Sequence, residues 1–316
     1  MIDVSIVIVS WNVRELLIAC IDSIISSPIA INTPSDDSPI VEIIVVDSAS
    51  EDDTVAMLQR DYPQVLVFAQ SENIGFTRGN NLGFEQARGR YLFMLNPDTE
   101  IIGDAIPQMI NYLDNNPTVG FVGPHTLNTD RTTQSTRRRF MTKTLAFFES
   151  TWLQPYAPKS LLANYYMNEQ ADDAVLNVDW VQGSAIMVRR SIYEQVGGLD
   201  TSFVMFFEEQ DWCKRIKTQG WDATYLGTAY VIHHGGKSTD QIGAQKHIWF
   251  QKSKLRYSHK HHGVMFASVL RIFLLLNYIM QIIIEGLKGL LGSKRELRRE
   301  RIMTYWQIVR SGLKSA

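Results

Sequence analysis

Asp98 closes the tripeptide Asn96-Pro97-Asp98 directly after the apolar run Arg90–Leu95, so one carboxylate stands where a strand-like segment meets solvent. An acid so placed can hold a hard divalent cation through oxygen, or it can simply take part in the chain reversal that Asn, Pro and Asp all favour. A second acidic group lies in Phe206-Phe207-Glu208-Glu209-Gln210-Asp211, where helical spacing resumes. Acids at a helix start are favoured by the helix dipole, yet clustered carboxylates at a cleft also repel one another and raise a pKa, as a general base requires. Glu208 and Asp211 are three residues apart and share a helix face, while Glu209 points elsewhere, so all three stand as candidate bases. His233-His234-Gly235-Gly236-Lys237-Ser238 follows a strand-like run ending at Ile232. Imidazole is an acceptable Mn²⁺ ligand, and Lys237 and Ser238 are suitable phosphate donors; His233 is the first candidate ligand and His234 the alternate.

These groups need elements to carry them. Apolar, β-branched runs at 3–9, 41–46, 65–69, 90–95 and 119–122 alternate with helix-like segments at 13–26, 52–60, 78–88 and 104–115. That alternation predicts βαβ units around a mainly parallel sheet with helices on both faces. The runs lead into Ser10-Trp11-Asn12, Asp47-Ser48-Ala49-Ser50, Asn73-Ile74-Gly75-Phe76 and Asn96-Pro97-Asp98. In a parallel sheet the carboxyl ends share one edge, so these polar segments converge on a single crevice. Individually they have plainer readings, with Asp47 capping a helix near Asp52 and Asn80 and Asn81 exposed on a helix.

The Pro-, Ser- and Asp-rich stretch 27–39 reads as a surface loop. From His125 to about Asn177 the pattern breaks into polar, Arg-bearing and aromatic segments, after which 178–181 and 185–188 look like strands, 208–219 like a helix and 223–232 like a strand. Gly183 marks either a β-bulge or a pocket wall. Arg137-Arg138-Arg139 suits a diphosphate or a lipid-linked acceptor, but a solvated basic loop is the commoner explanation.

Composition is that of a globular chain, 45% hydrophobic with a net charge of -2. Nothing in it calls for a nucleic-acid partner, although Lys and Arg gather in 246–260 and 294–301 and should meet acidic partners there. Two cysteines without CxxC spacing read as reduced structural thiols. The first residues, Met1–Val9, form a short apolar run without a basic leader and read as a strand, so the expectation is a cytoplasmic catalytic part. Residues 264–288 approach the length of a membrane-spanning helix. Ser268, Arg271, Tyr278, Gln281, Glu285 and Lys288 recur at steps of three, four or seven and draw a polar stripe along it. The expectation is a helix lying at the inner face of the membrane with that stripe wet, a buried or homodimer contact being the alternative.

Taken in order, Val7–Asn12, Val45–Ser50, Glu72–Phe76 with Gly79-Asn80, and Asn96-Pro97-Asp98 resemble the family 2 glycosyltransferases of the GT-A fold, and most nearly the bacterial rhamnosyltransferase-like enzymes, over residues 3–235. The resemblance implies an α/β GT-A domain at 1–240, divided at 124/125 into nucleotide-binding and acceptor halves, with a helical region at 241–316. It places Ser10, Asn12 and Asp47 at the nucleotide, and Asn73, Gly75, Gly79, Asn80 and Asn96 along the ribose and diphosphate. Asn96-Pro97-Asp98 occupies the Asp-x-Asp position, leaving Asp98 to bind Mg²⁺ or Mn²⁺ and Asn96 as a neutral partner. A His in the place of His233, with His234 the alternate, completes the metal shell or touches the diphosphate. Glu209 takes the general-base position usually held by Asp, and Trp180–Ala185, with Gly183, shapes the donor-sugar and acceptor pocket.

By the same resemblance the reaction is inverting transfer of a sugar, rhamnose from dTDP-rhamnose, from a nucleotide-diphospho-sugar to a saccharide or lipid-linked saccharide of a cell-surface polysaccharide. A nucleotidyltransferase is the competing enzyme class, but it calls for a Gly-rich loop with a basic residue after the first strand, where this chain has Ser10-Trp11-Asn12-Val13-Arg14. A non-catalytic nucleotide-sugar or glycan-binding module has no use for the Glu208-Glu209-Asp211 cluster.

Overall fold

The computed structural model describes residues 1–235, 244–292 and 294–314. Twelve strands are described: β1 (Val4–Ser10), β2 (Ala30–Ile31), β3 (Ile40–Asp47), β4 (Leu66–Ala69), β5 (Tyr91–Leu95), β6 (Thr99–Ile102), β7 (Val119–Leu127), β8 (Arg137–Arg138), β9 (Val175–Asn177), β10 (Trp180–Val181), β11 (Ala185–Arg189) and β12 (Asp222–His233). Between them lie α1 (Arg14–Ile25), α2 (Thr54–Asp61), α3 (Gly75–Gln86), α4 (Ala105–Asn115), α5 (Lys143–Phe148), α6 (Lys159–Tyr166), α7 (Arg190–Val196) and α8 (Glu208–Thr218). Helices at Ala244–His262, Val264–Leu291 and Arg295–Ser311 follow.

The main sheet runs β2-β3-β1-β5-β11-β7-β12-β6, with β4 on β3 and β9 on β12. Its first half is parallel: β1 lies between β3 and β5, with Ser10 opposite Asp47 and Ile8 opposite Leu95. Every residue of β1 and β5 is buried, which is why these runs are apolar on both faces, save for Ser5 and Ser10 of β1, rather than alternating. Beyond β5 the direction changes. β11 is antiparallel to β5 with Ala185 opposite Leu95, so it begins where β5 ends. β12 runs parallel to β7 and antiparallel to β6, pairing His233 with Thr99. The sheet is therefore mixed, and β11 and β6 bring the starts of two strands to the edge where the parallel strands finish.

Helix packing follows the apolar spacing. On α4, Ala105, Ile106, Met109, Ile110 and Leu113 form one buried stripe. On α3, a Cβ at Gly79 would lie 2.8 Å from Val9 Cγ1, and one at Gly83 would collide with Val7, so these glycines let α3 settle on β1. Gly79, expected along the ribose and diphosphate, has this packing role.

The chain divides into two compact units. The first comprises Met1–Phe140, Ala163–Ser202 and the chain from Glu208 to the end of β12, and contains the whole main sheet. The second comprises Met141–Leu162, Phe203–Phe207 and the C-terminal helices. In the second unit the middle of the expected wet polar stripe has partners within the protein, while Ser268 and Lys288 at its ends stay exposed. Arg271 Nε donates to Gly312 O at 2.7 Å, Tyr278 accepts from Gln251 Nε2 at 3.0 Å, and Glu285 pairs with Arg298 at 2.9 Å. The partners lie on the helix Ala244–His262, on the helix Arg295–Ser311 and just after it. The opposite face, through Met265, Val269, Ile272, Leu276, Ile283, Leu287 and Leu290, is exposed and apolar.

Candidate active site

β1 and β3 deliver the first part of the site. Ser10 and Asp47 are buried side by side, and neither Ser10 Oγ nor Asp47 Oδ2 has a hydrogen-bond partner. Asp47 does not cap α2, which starts only at Thr54; its Oδ1 instead accepts from Ser50 N–H at 2.9 Å, leaving Oδ2 open. Asn12 and Ser50 tie the neighbouring loops together, Asn12 N–H donating to Ser50 Oγ at 2.9 Å and Glu51 N–H to Asn12 Oδ1 at 2.8 Å. Asn12, at φ 52, is thus a loop brace with both of these groups engaged.

Asn73 plays a similar bracing part. Its Oδ1 accepts from Ser48 Oγ at 3.1 Å and from Gly75 N–H at 2.9 Å, with Gly75 at φ 77 starting α3. One turn on, Asn80 is buried rather than exposed; its Nδ2 donates to Phe76 O at 3.0 Å and its Oδ1 has no partner. Asn81 is occupied by both backbone groups of Leu199, at 2.8 Å each, and holds the loop after α7.

The turn between β5 and β6 carries the second part. Asn96 N–H donates to Ser184 O at 2.9 Å, and His234 N–H to Asp98 O at 2.9 Å, so the start of β11 and the end of β12 fix the turn from both sides. Asp98 is 5% exposed, and its Oδ1 lies 3.2 Å from His233 Nε2. Asn96 Nδ2 lies 3.4 Å from the same nitrogen, and Asn96 Oδ1 is a buried acceptor without a partner. The other ring nitrogen, His233 Nδ1, is 2.8 Å from Gln134 Oε1, whose amide nitrogen is engaged by Asn128 Oδ1 at 3.0 Å. Gln134 can then only accept, so Nδ1 donates to it and Nε2 is the ring nitrogen that faces the Asp98 carboxylate. An imidazole nitrogen and a carboxylate oxygen so close together can share a cation. An imidazole nitrogen with carboxylate and amide oxygens fits Mg²⁺ or Mn²⁺ as an open site completed by a ligand's oxygens. No group of three His, Cys, Asp or Glu capable of holding a metal occurs among the described residues.

His234 is turned away onto Glu100 Oε1, at 2.5 Å, which separates the two histidines by role. Lys237 and Ser238, read as phosphate donors, lie outside the described residues.

The first turn of α8 carries the third part. Glu208 and Glu209 are buried, and the Oε2 atom of each lacks a partner. Burial pushes the Glu208 carboxyl well above the usual range, helped by the neighbouring Glu209 charge. Burial also raises Glu209, against the opposing pull of backbone N–H groups that include Gly183. Gly183 sits against Glu209, since a Cβ there would touch Glu209 Cβ and Cγ at 3.5 Å. Ser184 and Gln210 extend the same pattern: both are buried, and Ser184 Oγ and both amide atoms of Gln210 lack partners. Neither was singled out as a site residue in the sequence.

Asp211 is different. It is fully buried and paired with Arg215 Nε at 2.9 Å, and Arg215 also donates to Val196 O and Gly198 O at 2.7 and 2.5 Å. As a candidate base it is therefore replaced by a structural reading: its charge is committed to tying α8 to the end of α7. Arg137 is likewise committed, to Gln170 O and Asp172 at 2.8 Å, and not to a ligand.

Residues 5–197 match the model of the family described as Glycosyl transferase family 2. The chain is 24% identical over 242 residues to the N-acetylglucosaminyl-diphospho-decaprenol L-rhamnosyltransferase of Mycobacterium tuberculosis, covering 73% of this chain and 78% of that one. It is 31% identical over 80 residues to the Escherichia coli rhamnosyltransferase WbbL, covering 25% and 30%. In three dimensions it is similar to the mannosyltransferase PcManGT from Pyrobaculum calidifontis, solved in complex with GDP-Man and Mn²⁺, at TM-score 0.56 and 15% identity over 98% of this chain and 84% of that one. It is also similar to GalNAc-T7, solved with UDP, GalNAc and Mn²⁺, at TM-score 0.57 and 14% identity over 98% and 56%.

Proposed function

The chain belongs to glycosyl transferase family 2 and is a glycosyltransferase of the GT-A fold, and from that premise we propose that it moves L-rhamnose from dTDP-rhamnose, with inversion, onto a lipid-linked or growing cell-surface polysaccharide. The observation that carries this reading is the row of buried, unpartnered polar atoms on Ser10, Asp47, Asn80, Asn96, Ser184, Glu208, Glu209 and Gln210. Buried polar groups are nearly always paired, so a concentration of orphans on the segments around one sheet edge marks a place where a polar ligand supplies the partners. The rhamnose donor is supported by the rhamnosyltransferases of Mycobacterium tuberculosis and Escherichia coli that the chain resembles. Metal use is supported by the Mn²⁺ bound in both structural neighbours.

In this reading the open acceptors of Ser10 and Asp47 take the N–H of the nucleotide base, and Asn80 reaches the ribose or diphosphate. Asn12, Asn73 and Gly75 hold the loops that shape this pocket. Asp98 and His233 would hold Mg²⁺ or Mn²⁺, with Asn96 beside them. Such an ion supplies positive charge for the departing diphosphate. Glu209 accepts the proton of the acceptor hydroxyl as its oxygen bonds to the anomeric carbon and the bond to the diphosphate breaks. Its raised proton affinity suits it to take that proton, and burial together with the Glu209 charge pushes Glu208 up beside it.

The C-terminal helices fit the surface on which such an acceptor resides. The most apolar window of Val264–Leu290 has mean hydropathy 1.9 and only 22% of it is buried. Exposed Lys288, Arg295 and Arg299 and exposed Trp306 lie on the same two helices. Apolar rows flanked by basic and aromatic residues favour an anionic lipid surface, each basic group adding roughly 1 kcal/mol near it. We therefore read the enzyme as cytoplasmic and peripheral on the inner membrane face.

A thermal-shift screen of nucleotide-sugars with and without Mn²⁺ tests the assignment. Stabilisation by dTDP-rhamnose that needs the ion is expected, and indifference to every nucleotide-sugar would remove the functional reading.

A further inference from the structure

Behind the His233 ring, on the side away from Asp98, a chain of polar side chains runs out to the surface. Nδ1 lies 2.8 Å from Gln134 Oε1, Gln134 Nε2 donates to Asn128 Oδ1 at 3.0 Å, and Asn128 Nδ2 donates to Thr132 Oγ1 at 3.0 Å. The Thr132 hydroxyl in turn donates to Asp130 Oδ1 at 2.6 Å. All five residues belong to the first unit.

Donor and acceptor capacity gives this chain one direction. Asp130 is exposed, and hydrogen bonds from the Thr132 hydroxyl and N–H hold its carboxyl below the usual range. An ionised carboxylate only accepts, so Thr132 commits its single hydroxyl proton to Asp130 and offers Asn128 a lone pair. Asn128 must then turn its NH₂ to Thr132 and its oxygen to Gln134. Gln134 repeats the choice and leaves its own oxygen for the ring, which makes Nδ1 the donating nitrogen.

The backbone keeps the chain short. Leu127 and Thr133 form an antiparallel bridge, Asn128 N–H donates to Thr132 O at 2.8 Å, and Gln134 N–H donates to Thr126 O at 2.9 Å. Leu127 of β7 also pairs with Ile232 of β12, the residue before His233. Ligand and support are thus set on neighbouring strands. On the near side of the ring, Nε2 lies 3.2 Å from Asp98 Oδ1. With nothing to hold a proton on Nδ1, the ring would place it on Nε2 and donate to that carboxylate. An imidazole binds a metal through the nitrogen without a proton, and the hydrogen bond at the other nitrogen decides which one that is.

We propose that Gln134, Asn128, Thr132 and Asp130 are positioning residues for His233, a directed relay that keeps a ring proton on Nδ1 and reserves Nε2 for a divalent cation beside Asp98. The inference rests on the reading of His233 as a ligand of Mg²⁺ or Mn²⁺. It adds that this ligand is set from an exposed loop carboxylate, and that the four residues act only through the ring.

The test uses the full-length protein with Gln134→Leu, Asn128→Ala and Thr132→Val, and Gln134→Glu as the conservative variant, since a carboxylate can only accept from Nδ1. Ring ¹⁵N shifts of the metal-free protein at alkaline pH, with the His233 signals identified by their absence in His233→Ala, are compared with calorimetric affinity for dTDP-rhamnose in the presence of Mn²⁺. Wild type and Gln134→Glu should carry the proton on Nδ1. Gln134→Leu should move it to Nε2 and weaken Mn²⁺-dependent binding by about tenfold or more. Asn128→Ala and Thr132→Val, the latter a change on the exposed loop, should move it in part of the population. A wild-type Nδ1 without a proton would overturn the proposal, and so would a proton that stays on Nδ1 in every variant, whatever the binding does. If the wild type shows no Mn²⁺-dependent binding yet the proton moves as expected, the relay stands and the metal reading falls.

Discussion

Replacing Glu209 by Gln should produce an enzyme that is inactive and, above neutral pH, more stable. The change keeps the shape of a side chain that is 9% exposed and packed on Gly183, so no cavity opens. Loss of a general base lowers kcat by about 10²–10⁴-fold, which is about 3–5 kcal/mol of transition-state stabilisation. The stability effect has the opposite sign. Glu209 binds its proton more tightly folded than unfolded because burial disfavours its charge, so its contribution is fully favourable below the unfolded pKa and is lost as pH rises through the folded one. Removing the carboxyl removes that loss, and it also relieves Glu208 of a neighbouring charge. The assay is single-turnover transfer alongside donor affinity by calorimetry and Tm measured from pH 5 to pH 9. Turnover within threefold of wild type would refute the assignment of the base. A Tm at pH 8 that drops by several degrees would refute the burial argument behind it.

The histidines should separate cleanly: His233→Ala should weaken Mn²⁺-dependent donor binding by 10-fold or more, whereas His234→Ala, removing only a contact to Glu100, should leave it within about threefold, both by calorimetry. Gly79→Ala should lower stability by about 1–3 kcal/mol in denaturant unfolding, because its new methyl meets Val9 at 2.8 Å; an unchanged midpoint would deny the close approach of α3 to β1. Ile272→Asp with Leu276→Asp, placed on the exposed apolar row, should abolish co-sedimentation with anionic vesicles, while unchanged sedimentation with a halved solution mass would assign that face to a second copy of the chain.

The parallel half of the sheet was readable because β1, β3 and β5 are largely apolar runs, interrupted only by Ser5 and Glu42, that each end in a polar cluster. The rest depended on contacts distant in sequence. β6 is four residues long and exists by pairing with the far end of β12, so nothing local marks it as a strand. Gln134 reaches His233 across ninety-nine residues, and no motif surrounds it. Asp211 could have been recognised, since Arg215 stands four residues on, the spacing of a helical ion pair. Periodicity revealed the polar stripe of the helix Val264–Leu291 but not its direction, because whether Glu285 faces water or Arg298 is decided by another helix. The contact of Gly79 with Val9 was not legible either, because spacing alone does not show which side chain a helical glycine will meet.

Calorimetric titration of dTDP-rhamnose into the wild type and Asp98→Ala, each with Mn²⁺ and with EDTA, examines the sugar-nucleotide crevice and its metal edge together. Tight binding should occur in one of the four combinations, wild type with Mn²⁺, and weaken at least tenfold in the other three. Equal affinity in all four would show that the donor binds without Asp98 or a cation, and binding in none would show that the crevice takes another ligand.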